Sequence, residues 1–309
     1  MIEPVDLRRL QVLRMVDRYG TVTAAAVALH LTPSAVSHQI RQLSRELGVA
    51  LLEPNGRRVR LTSAAHTLVA HADALHARWE QAQADLDAHA DGSAGLLRMC
   101  GFPSAVGGLL SRAARGLQTN FPRLTVYIAE VESAEGFDLL LSGEADIAVV
   151  VPTPESPPLD DAKFDQQPLL EEPLELLVPP DHPFARREAV ALAEAAHEPW
   201  IVSAPGRSDS YQVTLVACAA AGFTPKIAHH ACDSIAPLVA CGLGVALAPR
   251  LFEIPPHSAV RVPLTGEPRP TRRLLTCVRR GSGGHPAIAR GLAAVHAAAD
   301  DYRLTKSAS

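Results

Sequence analysis

Ser34, His38, Arg41 and Arg45 recur at intervals of four, three and four residues, with Ser37 and Gln42 beside them. At about 100° per residue these side chains share one side of a helix. Hydroxyl, imidazole, amide and guanidinium groups on a face without a carboxylate are the types that hydrogen-bond phosphates and base edges in the major groove. A solvated polar face is the plain alternative, since any surface helix has one. Arg57, Arg58 and Arg60 follow beside Pro54-Asn55-Gly56. Asn-Gly is a strong hairpin signal, and a basic hairpin would touch the nucleic-acid backbone or minor groove. Binding through such arginines falls steeply with salt because counterions are released.

Other chemistry has less support. The chain has no G-x-S-x-G, H-E-x-x-H, P-loop or G-x-G-x-x-G pattern, and Gly281-Ser282-Gly283-Gly284 lacks the lysine of a phosphate loop. No catalytic residue, cofactor or metal is expected, and an enzyme is the remote alternative. His229, His230 and Cys232 form a short H-H-x-C cluster that would suit zinc or copper. Adjacent strand residues point to opposite faces, which argues against one shared site. Cys232 and Cys241 are nine residues apart, a spacing open to redox sensing, but Cys241 is expected on an apolar helix face, where thiols are usually inert. A metal- or redox-responsive form of the same protein stays open.

The elements that must hold the polar face are legible nearby. Leu7, Leu10, Leu13 and Val16 share a helical face that Tyr19-Gly20 stops, and Thr21 or Thr23 can cap a second helix of small residues through Ala24–Leu29. Small side chains let two helices approach closely, as a tight helix–turn–helix requires. Thr32 then suits an N-cap and Pro33 the first helical position. Val36, Ile40, Leu43 and Leu47 form the buried stripe opposite the polar face, and Gly48 ends the helix. Thr23, Thr32 and Pro33 therefore join the DNA-contact candidates. The basic hairpin completes a winged module. After Thr62-Ser63, the residues Ala65, Leu68, Ala72, Leu75, Trp79, Ala82 and Leu86 keep a heptad seam for three repeats. Leu68 through Leu86 are the dimerisation candidates, because a reader with one recognition helix usually dimerises.

Composition agrees. The 309 residues are 47% hydrophobic and 20% charged, which excludes a disordered tail and predicts two or three domains. Residues 1–65 carry nine arginines against five acids, whereas the whole chain has a formal charge of −4. A basic head on an acidic chain suits a polyanion partner for that head alone. The apolar run Ile235 to Ala248 is broken by Pro237, Gly242 and Gly244 and falls short of the roughly 20 residues of a membrane span. The start MIEPVDLRRL lacks a secretory pattern and the five cysteines are odd in number, so a cytoplasmic protein without a membrane partner is expected.

From Leu96 the pattern alternates strand and helix, with an apolar run over Ala145–Val151 of the kind buried in parallel sheets. Proline-rich 152–158 marks a crossover into a second series. Two α/β lobes place a ligand cleft at strand carboxyl ends. Those ends nominate Phe102, Pro103, Ser104, Ala105, Glu132, Ser133 and Val151 in one lobe. In the other they nominate Ser203, Ala204, Pro205, Asp233 and Ser234. Each serine can also be a simple helix cap.

The run "TAAAVALHLTPSAVSHQIRQLSRELGVALLEPNGRRVRLTSAA" resembles the N-terminal module of the LysR-type transcriptional regulators. "FPRLTVYIAEVES", "LLSGEADIAVV", "LLEEPLELLVPPDHPFA" and "LVACGLGVALAPR" resemble that family's effector domain, so the likeness covers nearly the whole chain. It departs at Leu52, Pro54, Ala65 and His38, where the family usually has Phe, Arg, Gly and Arg. The resemblance implies a multidomain α plus α/β fold, with a winged helix–turn–helix over 1–62 and a linker helix over 63–92. A two-lobed, periplasmic-binding-protein-like effector domain would span 96–309, with lobe I at 96–157 plus about 279–309 and lobe II at about 158–278. It implies a bacterial regulator that binds double-stranded promoter DNA as a dimer of dimers. The effector would be a small organic acid, and RNA polymerase is a further candidate partner.

Overall fold

The structure is a computed structural model describing residues 6–55, 58–87, 94–154, 156–206, 208–256, 258–266 and 269–307. Asp6 caps helix α1 (Leu7–Tyr19) by accepting from the Arg8 amide, and Gly20 ends it at φ 68°. Thr21, and not Thr23, caps α2 (Val22–Ala28) by accepting from the Ala24 amide. Ala25 and Ala26 are buried, so α2 packs close to its neighbours. Thr32 caps α3 (Pro33–Leu47) through the Ala35 amide, and Val36, Ile40 and Leu43 form its buried stripe. Strands β1 (Leu52–Asn55) and β2 (Arg58–Leu61) pair antiparallel with Asn55 opposite Arg58, so the hairpin closes one residue later than an Asn55-Gly56 turn would. Arg57 lies outside the described residues, and only the backbone of Arg58 is described.

Helix α4 (Ser63–Asp87) starts where Thr62 Oγ1 accepts from the Ala65 amide, and its 25 residues extend about 37 Å. Its heptad seam divides. Ala65 and Ala72 are buried in the chain's own core and Leu68 packs against that core, so these three are already covered. Leu75, Trp79 and Leu86 stay 53%, 49% and 69% exposed. A period of 3.5 names a stripe but not what covers it.

The remaining chain begins with β3 (Ala94–Gly101), a short helix α5 (Pro103–Ala105), a π turn (Val106–Leu110) and α6 (Ser111–Asn120). Next come β4 (Arg123–Glu130), α7 (Ser133–Ser142), β5 (Ile147–Val150) and β6 (Phe164–Val178). They are followed by β7 (Val190–Ala191), β8 (Pro199–Val202), α8 (Asp209–Ala220), β9 (Lys226–His230) and α9 (Ile235–Ala240). The last elements are β10 (Ala246–Pro249), β11 (Val260–Val262), β12 (Leu264–Thr265), β13 (Thr271–Arg279) and α10 (Pro286–Ser307). β3 runs parallel to β4 and β5, as buried apolar strands suggest. One sheet, in the order β10-β6-β13-β5-β3-β4, nevertheless spans both lobes. The link is β6, fifteen residues long, which pairs with β13 from Phe164 to Pro173 and then with β10 from Leu174 onward. Thr271–Arg279, expected mostly in lobe II, therefore hydrogen-bonds with β5 of lobe I. Both crossovers are strands rather than loops, a result of antiparallel pairing that periodicity does not reveal.

The N-terminal module packs on lobe I. One buried core runs from Leu13, Ile40 and Ala72 through Phe137, Leu140 and Cys277. Gln11 Nε2 donates to the Leu141 carbonyl at 2.6 Å and Arg18 Nε to Asp138 at 2.9 Å. At the junction Arg14 pairs with Asp73, Lys163 lies 3.8 Å from Asp73, and Arg279 lies 3.0 Å from Glu80. Burial, with help from Arg14, pushes the His76 imidazole down to about 4, so it stays neutral there. Gly281 shows what the glycine cluster does. At φ +86° its absent Cβ would lie 2.3 Å from the Ala77 carbonyl, so the loop is a seat for α4. Gly281→Ala should cost about 1–3 kcal/mol through overpacking and backbone strain. Faster amide exchange in α4 over 77–84 would show it, and unchanged exchange there would refute the seat.

Candidate nucleic-acid interface and ligand cleft

On α3 the Thr32 cap and the buried stripe fix which side turns outward. Ser34, His38, Arg41 and Arg45 are exposed, as are Thr32, Pro33 and Thr23, while Ser37 and Gln42 are half-buried. Thr32 Oγ1 and Ser34 Oγ lie 2.9 Å apart. Arg41 and His38 make no hydrogen bond or ion pair among the described residues, which leaves both free for a partner. Gln42 is engaged, since its amide donates to Glu46 at 3.0 Å and its carbonyl accepts from Arg45. Glu46 qualifies the acid-free reading of this face. Its carboxylate sits on the flank, where the Arg9 guanidinium holds it below the usual range. Several head arginines serve the fold instead: Arg9 pairs with Glu46, Arg14 with Asp73, Arg18 with Asp138 and Arg60 with Glu53. The basic excess of the head therefore overstates what faces a polyanion.

Between the lobes lies a cavity of about 90 Å³, lined by Phe102, Pro103, Ser104, Glu132, Ser203 and Asp233 among the nominated residues. The other nominees fall elsewhere. Ala105 is buried under its own helix, Ser133 is buried behind the wall, and Ala204, Pro205 and Ser234 do not line the space. Val151 opens instead onto a neighbouring cavity of about 570 Å³, with Val216 and Arg269.

Residues missed in the sequence also line the wall, among them Ser208, Asp209, Thr214, Phe252 and Arg272. Asp209 begins α8, and its amide donates to Glu132 Oε2 at 2.9 Å. In return Asp209 Oδ2 accepts from the Ser133 amide at 3.1 Å and from the Ser133 hydroxyl, while the Val151 amide donates to Ser133 Oγ at 2.8 Å. Burial pushes the Glu132 carboxyl up to about 7 and raises Asp209 as well. Arg272 is buried, donates to Glu172 from Nε at 2.9 Å and to Ser104 from Nη2 at 3.1 Å, and lies 4.7 Å from the centre of the Phe102 ring. Ser208, an N-cap before a helical run, offered a local signal. Arg272 offered none, because its partner is 100 residues away.

The rival sites fare differently. Among the described residues no group of three His, Cys, Asp or Glu could hold a metal, and His229 and His230 are both exposed. Cys241 is exposed at the end of α9 rather than on its apolar face, and Cys232 lines the cleft. Burial pushes the Cys100 and Cys218 thiols up to about 12 and raises Cys277, so these three are poor nucleophiles. No described helix is long and apolar enough to cross a membrane.

Comparison with known proteins gives two family matches. Residues 7–66 match the bacterial regulatory helix-turn-helix protein of the lysR family, and residues 90–300 match the LysR substrate binding domain. A hydrogen peroxide-inducible genes activator of Pectobacterium carotovorum is 29% identical over 249 residues, 80% of each chain. The HTH-type transcriptional regulator AlsR of Bacillus subtilis is 28% identical over 248 residues, 79% of this chain and 80% of that one. Among solved structures, a full-length OxyR variant from Pseudomonas aeruginosa superposes with TM-score 0.65 at 22% identity, covering 96% of this chain and 95% of that one. Full-length CbnR complexed with its target DNA gives 0.55 at 23% identity, covering 96% and 100%.

Proposed function

The chain belongs to the LysR family of DNA-binding transcriptional regulators, and we propose that it reads its operator with Ser34, His38 and Arg41 and senses a ligand between the lobes. The protein is a regulator with an effector-binding domain and not an enzyme. The observation that carries the reading is Arg41, exposed and unpaired on a helix whose cap and buried stripe fix its orientation. Thr32 and Ser34 suit phosphate contacts, and the wing arginines suit the backbone or minor groove.

Helix α7 offers a route between the two sites. Its first residue, Ser133, is held by Asp209 of lobe II, and its last turn holds Gln11 of α1 through the Leu141 carbonyl. A ligand that favours one lobe arrangement would move α7 and with it the docked head. Linkage then requires that DNA favour the same arrangement. In this proposal 1–62 forms the reading head, α4 the dimer contact and the chain from 96 onward the sensor. A dimer of dimers would bind paired half-sites beside RNA polymerase.

The test is a footprint on the DNA upstream of the protein's own gene at two salt concentrations, for wild type and Arg41→Ala. Wild type should protect a dyad-symmetric site that weakens steeply with salt. Arg41→Ala should lose about 1–3 kcal/mol and relax preference at one position of each half-site. Unchanged site preference in Arg41→Ala would remove this residue from base reading, and protection without dyad symmetry would count against paired half-sites.

A further inference from the structure

Free helix N-termini are where anions usually bind, because their backbone N–H groups lack partners. In this cleft the protein's own carboxylates hold two such positions. Glu132 of lobe I accepts the Asp209 amide at the start of α8, and Asp209 of lobe II accepts the Ser133 amide at the start of α7. An anionic ligand at either of these two positions would have to displace a carboxylate.

The charge around the cavity repeats the message. Among the described residues, Glu132, Asp209 and Asp233 line it against one guanidinium, Arg272, whose Nε and Nη2 already serve Glu172 and Ser104. A third observation concerns hydroxyls. Ser203 and Thr214 line the same cavity and are only 4% and 5% exposed, yet their hydroxyls hydrogen-bond nothing among the described residues. A ligand in the cavity can pair with both. The rest of the wall is apolar, with Ile201, Ile235 and Phe252.

We propose that the cleft takes a small organic cation, an alkylammonium or guanidinium compound, seated between Glu132 and Asp209 and hydrogen-bonded to Ser203 and Thr214. This rests on the cleft being the effector site and replaces the organic acid that the family likeness suggested. Burial raises both carboxyl groups, a cost that a neighbouring cation relieves. A cation too long for this space of about 90 Å³ would part the lobes. Parting them breaks the Glu132–Asp209 clasp and frees the first turn of α7.

The experiment is thermal unfolding of the full-length protein with methylguanidinium and 1,3-diaminopropane, set against malonate and acetate at equal ionic strength. The cations should raise the melting temperature in proportion to the logarithm of their concentration, and the acids should not. Glu132→Gln and Asp209→Asn should each weaken the cation effect by about tenfold or more. If either variant fails to fold, the cation–acid contrast in the wild type still decides. Stabilisation by the acids alone, by neither class, or by cations equally in both variants would overturn the proposal. Acid stabilisation lost in Ser203→Ala would keep the cleft as the ligand site and sink only the charge assignment. Acid stabilisation unchanged in Ser203→Ala would remove the effector reading of the cleft itself.

Discussion

Glu172→Ala should destabilise the protein by about 3–5 kcal/mol, because it strands a buried guanidinium. Glu172 and Arg272 are both buried, and Glu172 Oε1 accepts from Arg272 Nε at 2.9 Å. Glu172 Oε2 accepts the Leu251 amide at 2.9 Å, so the same change orphans a second donor. The partners stand opposite each other on β6 and β13, the strands that cross between the lobes. The loss should thus appear both as a lower denaturant midpoint and as weaker ligand response. Replacing the pair together, as Glu172→Leu with Arg272→Met, should recover most of the stability, since no charge is then left buried. A midpoint change worth less than about 1 kcal/mol in Glu172→Ala would show that water reaches Arg272 after all.

Trp79→Asp should break the proposed α4 contact between copies, lower the sedimenting mass and weaken operator binding by about 10²–10⁴-fold, the advantage of tethering one half-site reader to another. Leu75, Trp79 and Leu86 are a solvent-facing apolar stripe on α4, whereas the opposite side of that helix rests on the Gly281 loop. A carboxylate at the centre of the stripe would be buried unpaired on association. The variant should fold normally, because Trp79 belongs to none of the chain's buried core clusters. Sedimentation gives the mass and the footprint gives the affinity. An unchanged mass would place the dimer contact elsewhere.

The N-terminal module was legible because its signals are local. Thr32-Pro33, the stripe from Val36 to Leu43 and Gly48 lie within one helix and its caps, and each keeps its expected role. Strand carboxyl ends located the cleft, but only part of its wall. Asp209 reaches Ser133 across 76 residues and Arg272 reaches Glu172 across 100, distances over which a sequence carries no spacing signal. Arg272 and Arg273 look alike in sequence, yet alternation along β13 buries the first and exposes the second. Which one turns inward depends on the register with β6. The seam on α4 divides for a related reason, since Ala72 and Trp79 share a heptad stripe but Ala72 is buried in the chain's own core and Trp79 stays exposed.

The core that runs unbroken from Leu13 to Cys277 makes the reading head a poor cassette. A head cut free after α4 would expose the surface that meets Phe137 and Leu141, together with the donors of Gln11 and Arg18. Grafted onto a relative's sensor, it would meet a lobe shaped for another α1. New operator specificity is therefore reached more readily by exchanging the outward residues of α3 in place than by recombining whole modules.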